Sequence, residues 1–142
     1  MLRVMLDANV FLSYLIAVDA DKTVVRVVRA CFGPTIRLIV PHELLDEIET
    51  TAVDKAYFRE RIPAKLLQAF RQELTLLAEF PPPVEHPSRF GRDADDDYLM
   101  AYALVNDVIY LVTGDQDLLV LGQIGNVRIV TPATFLQLLG PL

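Results

Sequence analysis

The chain is short of residues that several chemistries and architectures require. It has one cysteine, Cys31, so no internal disulfide can form, and the expected setting is a reducing cytoplasm. Cys31 lies among Val27, Val28 and Phe32, the surroundings of a small core residue, and neither histidine is evidently paired with it. Of the two histidines, His42 falls in the first turn of an expected helix and reads as a surface or capping residue. His86 falls in a proline-bounded loop and reads as solvated. No Ser/His/Asp arrangement and no glycine-rich phosphate loop is present, which leaves nucleophilic catalysis and nucleotide binding without support. No apolar run approaches the roughly 20 residues of a membrane span, so no membrane association is expected. Arg3 and Asp7 interrupt the first residues, and a signal peptide is not expected there. Basic excess is also missing: 13 Lys and Arg face 19 Asp and Glu, a net charge of −6. That sign argues against a simple binder of nucleic-acid backbone. It is compatible with an enzyme whose acids hold divalent cations, because bound cations invert the local field.

What the chain does have is apolar content, 53% of its residues, enough to fill a core without disulfides or a structural metal. Its 142 residues are expected to form one domain, 1–142. Arg3 to Leu6 reads as a buried strand that stops at Asp7. A helix over Val10 to Ala17 follows, capped by Asp7 or Asn9. Thr23 to Phe32 has helical spacing and is broken by Gly33-Pro34. Ile36 to Val40 reads as a second strand, and Pro41 opens a helix with Leu44, Leu45 and Ile48 on one side. Pro63 opens another, with Leu66, Leu67, Phe70, Leu74 and Leu77 at i, i+3/i+4 spacing; Pro81 to Pro83 end it. After an irregular stretch, Asp93 starts a helix that runs through Leu104. Val108 to Thr113 is a strand, Asp117 to Leu121 a helical turn, Val127 to Val130 a strand and Pro132 to Leu139 a helix. Apolar strands alternating with helices predict an α/β fold with a mostly parallel sheet covered on each side.

In such sheets ligands bind beyond the carboxyl ends of the strands. The acids fall there. Asp7 follows the first strand, and Asp115 and Asp117 follow the strand over 108–113. Glu43 and Glu47 lie one turn apart on the helix after the second strand, and Asp93, Asp95, Asp96 and Asp97 crowd the start of a later helix. Clustered carboxylates suit hard cations such as Mg²⁺ and Mn²⁺, which prefer oxygen ligands. Without a cation, ionised acids in proximity repel one another. Asn9 adds an amide and Thr113 a hydroxyl, beside a Gly114 expected to permit a tight turn. Each acid also has a local explanation. Asp7 can cap a helix, Asp93 to Asp97 can complement a helix dipole, Glu43, Asp46, Glu47 and Glu49 can form a solvated face, and Asp115 and Asp117 can be turn residues. Their common position at one sheet edge is what four separate caps do not account for. Arg89 and Arg92 flank the acidic run as phosphate contacts or as local charge balance.

Four segments carry a family resemblance. They are Leu6-Asp7-Ala8-Asn9-Val10-Phe11, Val40-Pro41-His42-Glu43-Leu44-Leu45-Asp46-Glu47-Ile48, Arg92-Asp93-Ala94-Asp95-Asp96-Asp97-Tyr98-Leu99-Met100-Ala101 and Leu111-Val112-Thr113-Gly114-Asp115-Gln116-Asp117-Leu118-Leu119. In this order and spacing the chain resembles PIN-domain proteins over nearly its whole length, and in particular the bacterial and archaeal toxin components of toxin–antitoxin systems, the VapC-like ribonucleases. The resemblance implies a three-layer α/β/α sandwich and Mg²⁺- or Mn²⁺-dependent cleavage of RNA. It implies catalytic acids at Asp7, Glu47, Asp96 and Asp115, with Asp97 and Asp117 as further metal ligands and Asn9 and Thr113 in support. Ala94 stands where the group often has proline, and the run Asp95 to Asp97 leaves the third acid open between Asp96 and Asp97. Asp96 is favoured by its spacing to Ala103.

The leading expectation is a metal-dependent endoribonuclease with an RNA substrate and a cognate antitoxin protein that blocks the site. A homodimer is a further expectation, because the apolar content is high for the size. Two other readings stand beside it: an acidic α/β phosphotransfer or phosphatase domain, and a PIN-like binding module without catalysis.

Overall fold

The computed structural model describes residues 1–85 and 97–140, with Asp97 described by its backbone only. Its elements are β1 (Leu2–Leu6), α1 (Ala8–Ile16), α2 (Thr23–Cys31), β2 (Ile36–Leu38), α3 (His42–Asp54), α4 (Ala56–Arg59), α5 (Ala64–Leu77), α6 (Asp97–Val105), β3 (Tyr110–Val112), α7 (Gln116–Leu119), β4 (Gln123–Ile124), β5 (Val127–Val130) and α8 (Pro132–Leu139). The strands form one five-stranded sheet in the order β2-β1-β3-β5-β4, flanked by helices. All pairings are parallel except β4 with β5.

The central position of β1 explains its composition. It pairs with β2 on one side and β3 on the other, and Val4, Met5 and Leu6 are wholly buried. A parallel strand covered on both faces has no solvent side for a polar residue. Burying each such side chain contributes on the order of 1.5–3 kcal/mol. The chain leaves β1 toward β2, then crosses back to β3 on the opposite side. The carboxyl ends of β1 and β3 therefore flank a topological switch point, the crevice where doubly wound sheets bind ligands.

Several expectations are refined. Asp7, not Asn9, is the N-cap of α1, which starts at Ala8 rather than Val10. β2 ends at Leu38, but the edge continues: Ile39 bridges to Glu79, and Val40 N–H donates to the Glu79 carbonyl at 2.9 Å. α4 and β4 were not expected, because two to four residues are too few to show a period. Leu66 and Leu77 of α5 are 40% and 47% exposed, although they fall on its apolar spacing. Only Phe70 and Leu74 of that helix are buried, with Phe70 against Phe11 and Tyr14; the stripe is narrow, and its flanking leucines miss the core. Of the helix expected from Asp93, the described part begins at Asp97, and Asp93 to Asp96 lie outside the described residues.

Candidate active site

Strand register sets the site. Leu6 of β1 is level with Val112 of β3, so the next residues, Asp7 and Thr113, leave the sheet side by side. Asp7 N–H donates to the Val112 carbonyl and Thr113 N–H to the Val130 carbonyl, each at 2.9 Å. Among the described residues these two are the buried polar or charged ones, 4% and 0% exposed. A buried polar group requires a partner, and they supply one another. The Thr113 hydroxyl donates to Asp7 Oδ2 at 2.7 Å, while the Ala8 amide donates to Asp7 Oδ1 at 2.7 Å.

The hydroxyl also reaches the loop after β3. Thr113 Oγ1 accepts the Asp115 amide at 3.0 Å, and Asp115 Oδ1 accepts the Asp117 amide at 2.9 Å, capping α7. Asp115 and Asp117 are half-buried. Burial is the main cause that raises the Asp7 carboxyl above its ordinary range. The Thr113 and Ala8 hydrogen bonds oppose it, and the charge of Asp115 raises it further. A desolvated carboxylate facing a like charge is poorly stabilised by the chain itself. This donor set fits a hard divalent cation: each Asp7 oxygen spends one lone-pair direction on an N–H or O–H donor and retains another.

A second group of acids lies on α3, which follows β2. Glu47 is exposed, and its Oε1 accepts the Tyr98 hydroxyl at 2.6 Å. Glu43 is half-buried, and both of its oxygens lie 2.9 Å from the Tyr102 hydroxyl. Tyr102 is 1% exposed and also accepts the Val84 amide at 3.2 Å. Burial, foremost, raises its phenol above the ordinary range. Neither tyrosine was singled out in sequence. The available signal was spacing: tyrosines at i and i+4 on one helix match glutamates at i and i+4 on another.

The structure thus joins Asp7, Thr113, Asp115 and Asp117 in one hydrogen-bonded chain, and ties Glu47 to Tyr98. Asn9 is exposed in the first turn of α1. Asp96 lies outside the described residues, as do Asp93, Asp95, His86, Arg89 and Arg92; Asp97 begins α6. Among the described residues, no three His, Cys, Asp or Glu side chains are grouped to hold a metal ion. Gly114 does not have the left-handed backbone found at Gly122, Gly125 and Gly140, and a Cβ there would meet nothing within 4 Å. The turn it was expected to permit does not require glycine. Cys31 is buried with its thiol pushed up to about 12, an inert core residue. His42 is exposed, its ring 5.1 Å from that of Phe80.

A buried carboxylate, a hydroxyl and a second acid thus lie at the switch point of a doubly wound α/β sheet, where such folds receive ligands. The PIN domain family model matches residues 3–117, from β1 into α7, and the chain belongs to the PIN domain family. PIN domains are generally nucleases that act on nucleic acids, typically with divalent metals. A comparison with curated proteins finds no match. Among the described residues no helix is long and apolar enough to cross a membrane.

Proposed function

We propose that this PIN domain is an Mg²⁺- or Mn²⁺-dependent endoribonuclease, acting in the cytoplasm as the toxin of a toxin–antitoxin pair. The observation that carries the nuclease reading is the buried Asp7–Thr113 pair at the switch point, with Asp115 as its electrostatic neighbour. Four carboxylates hold the metal in this reading: Asp7, Glu47, Asp96 and Asp115, with Asp97 and Asp117 as further ligands. Asp7 is oriented by the Ala8 amide and the Thr113 hydroxyl, Asp115 by the Asp117 amide and Glu47 by Tyr98. Asn9, exposed in the first turn of α1, adds a neutral amide in support. A cation held by these acids would supply Lewis-acid chemistry, lowering the pKa of a bound water and offsetting charge on the departing oxygen.

This chemistry makes no demand on a 2′-hydroxyl, so the preference for RNA rests on the resemblance of the four acidic segments. The toxin role rests on the same resemblance. It calls for an antitoxin protein that closes the site, for which a basic side chain inserted among the carboxylates is the complementary chemistry. The test is cleavage of single-stranded RNA, with single-stranded DNA in parallel, in Mn²⁺, in chelator and with Asp7→Asn. Metal-dependent RNA cleavage lost in the variant is the expected result; undiminished cleavage by Asp7→Asn overturns the assignment.

A further inference from the structure

The net charge of −6 is unevenly spread. Residues 55–71 hold five of the 13 basic side chains, Lys55, Arg59, Arg61, Lys65 and Arg71, but one of the 19 acids, Glu60. All five are exposed. Ion pairing accounts for little of this. Arg71 pairs with Glu49 of α3, and Arg61 lies 4.0 Å from Glu60. Lys55, Arg59 and Lys65 make no ion pair among the described residues.

An aromatic ring sits among these charges. Tyr57 of α4 is 54% exposed, with the Arg61 guanidinium 4.0 Å from its ring centre and the Phe58 ring edge-on at 5.2 Å. Arg61 Nη1 also donates to the Tyr57 carbonyl at 2.9 Å. These contacts hold the ring in place without burying it. Arg59 Nη1 donates to the Val53 and Asp54 carbonyls at 3.2 and 3.5 Å, which fixes its guanidinium at the end of α3. Arg59 also lines a cleft of about 430 Å³ between α3 and the start of α5. The cleft is apolar at Ala52, Val53 and Leu67, and polar at Gln68 and the Arg71–Glu49 pair.

Basic side chains suit a phosphate backbone, a held and exposed ring suits the face of a base, and an apolar cleft with an amide and an ion pair suits a base edge. The three coincide in a nucleic acid with unstacked bases, because a duplex keeps its base faces inward. We propose that this face of α3, α4 and α5 holds a single strand of the RNA substrate, with phosphates on Lys55, Arg59 and Lys65, one base on Tyr57 and one in the cleft. The proposal rests on the nuclease reading above, and gives an acidic enzyme its grip on a polyanion. Ala52 lies five residues along α3 from Glu47, about 8 Å of helix axis, so the cleft and a proposed metal ligand share one helix at short range.

The test is fluorescence anisotropy of the full chain with labelled single-stranded oligouridylate and oligoadenylate, in chelator and over a range of salt, beside RNA cleavage in Mn²⁺. Tyr57→Ala should weaken binding about tenfold with an unchanged salt slope. Lys55→Gln/Lys65→Gln should reduce the slope of log affinity against log salt by about 1.4, at ~0.7 per phosphate. Ala64→Phe, which puts a bulkier side chain on the cleft wall, should weaken binding several-fold. All four positions are exposed, and melting temperatures should stay within about 2 °C of the wild type.

Wild-type affinity in Tyr57→Ala or Ala64→Phe, or an unchanged slope in the lysine variant, overturns the proposal; if RNA is still cleaved in Mn²⁺, the nuclease reading stands without it. Loss of a dimer in Tyr57→Ala with RNA affinity intact assigns the face to a second copy of the chain and also overturns the proposal. If the variants bind as expected but the wild type cleaves no RNA, the strand-holding face stands and the nuclease reading fails. If the wild type neither binds nor cleaves single-stranded RNA, both fail.

Discussion

β1 carries charge at both ends, and the two ends treat it in opposite ways. At the amino end Arg3 is level with Arg37 of β2, two like charges on adjacent strands. Glu79 stands between them, 3.1 Å from Arg3 Nη2 and 3.8 Å from Arg37 Nε, and Arg3 Nε also donates to the Asn106 carbonyl at 2.7 Å. At the carboxyl end the Thr113 hydroxyl donates to the Asp7 carboxylate and accepts the Asp115 amide, while burial and the nearby charge of Asp115 work against the charge of Asp7. The first arrangement is complete as it stands. The second sets a desolvated carboxylate against a like charge, which the proposed cation would offset; a binding site departs from the rules that favour the fold in this way.

Asp7→Asn tests this contrast with the largest effect. Cleavage should fall about a thousandfold in single-turnover kinetics, roughly 4 kcal/mol of barrier. In chelator the melting temperature should rise, because the neutral amide removes a charge that burial, foremost, and the nearby Asp115 disfavour; a fall would mean that Asp7 serves chiefly as the cap of α1. Thr113→Val comes next. It removes the donor to Asp7 Oδ2 and the acceptor of the Asp115 amide, and should cost about 2 kcal/mol in urea unfolding. Mn²⁺ affinity should drop by roughly tenfold. Glu79→Gln attacks the other end. Its ion pairs are about one-third exposed or more, so the loss should be about 0.5–1 kcal/mol, with cleavage rate unchanged.

The contrast should also appear in pH dependence. The Asp7 carboxyl is raised above 3.8 in the folded chain. The folded state therefore holds a proton that the unfolded state has released, and metal-free stability falls as pH rises from 3.8 through the folded value. Urea midpoints in chelator should show this falling limb in the wild type and not in Asp7→Asn. The smallest effect is reserved for Gly114→Ala, which should change stability by less than about 0.5 kcal/mol, since the added methyl meets open space.

The strand-to-acid junction at Asp7 was legible in sequence because a run buried on both faces ends abruptly on a charge. Thr113 was legible as a neighbour, though not as the donor to Asp7, since the two are 106 residues apart and meet only through strand register. The different hydrogen-bond partners of Glu43 and Glu47 could not be read locally. Both lie on one helix face, and partners 59 and 51 residues away distinguish them. The exposure of Leu66 and Leu77 was hidden because periodicity gives the direction of an apolar face but not its width. The short α4 and β4 carry no period at all.

The 2.7 Å bond from the Ala8 amide to Asp7 Oδ1 makes one backbone proton a built-in indicator. Whatever draws electron density from that oxygen weakens the bond and moves the amide resonance of Ala8. Occupancy of the crevice can thus be followed by nuclear magnetic resonance at the first residue of α1, independently of cleavage.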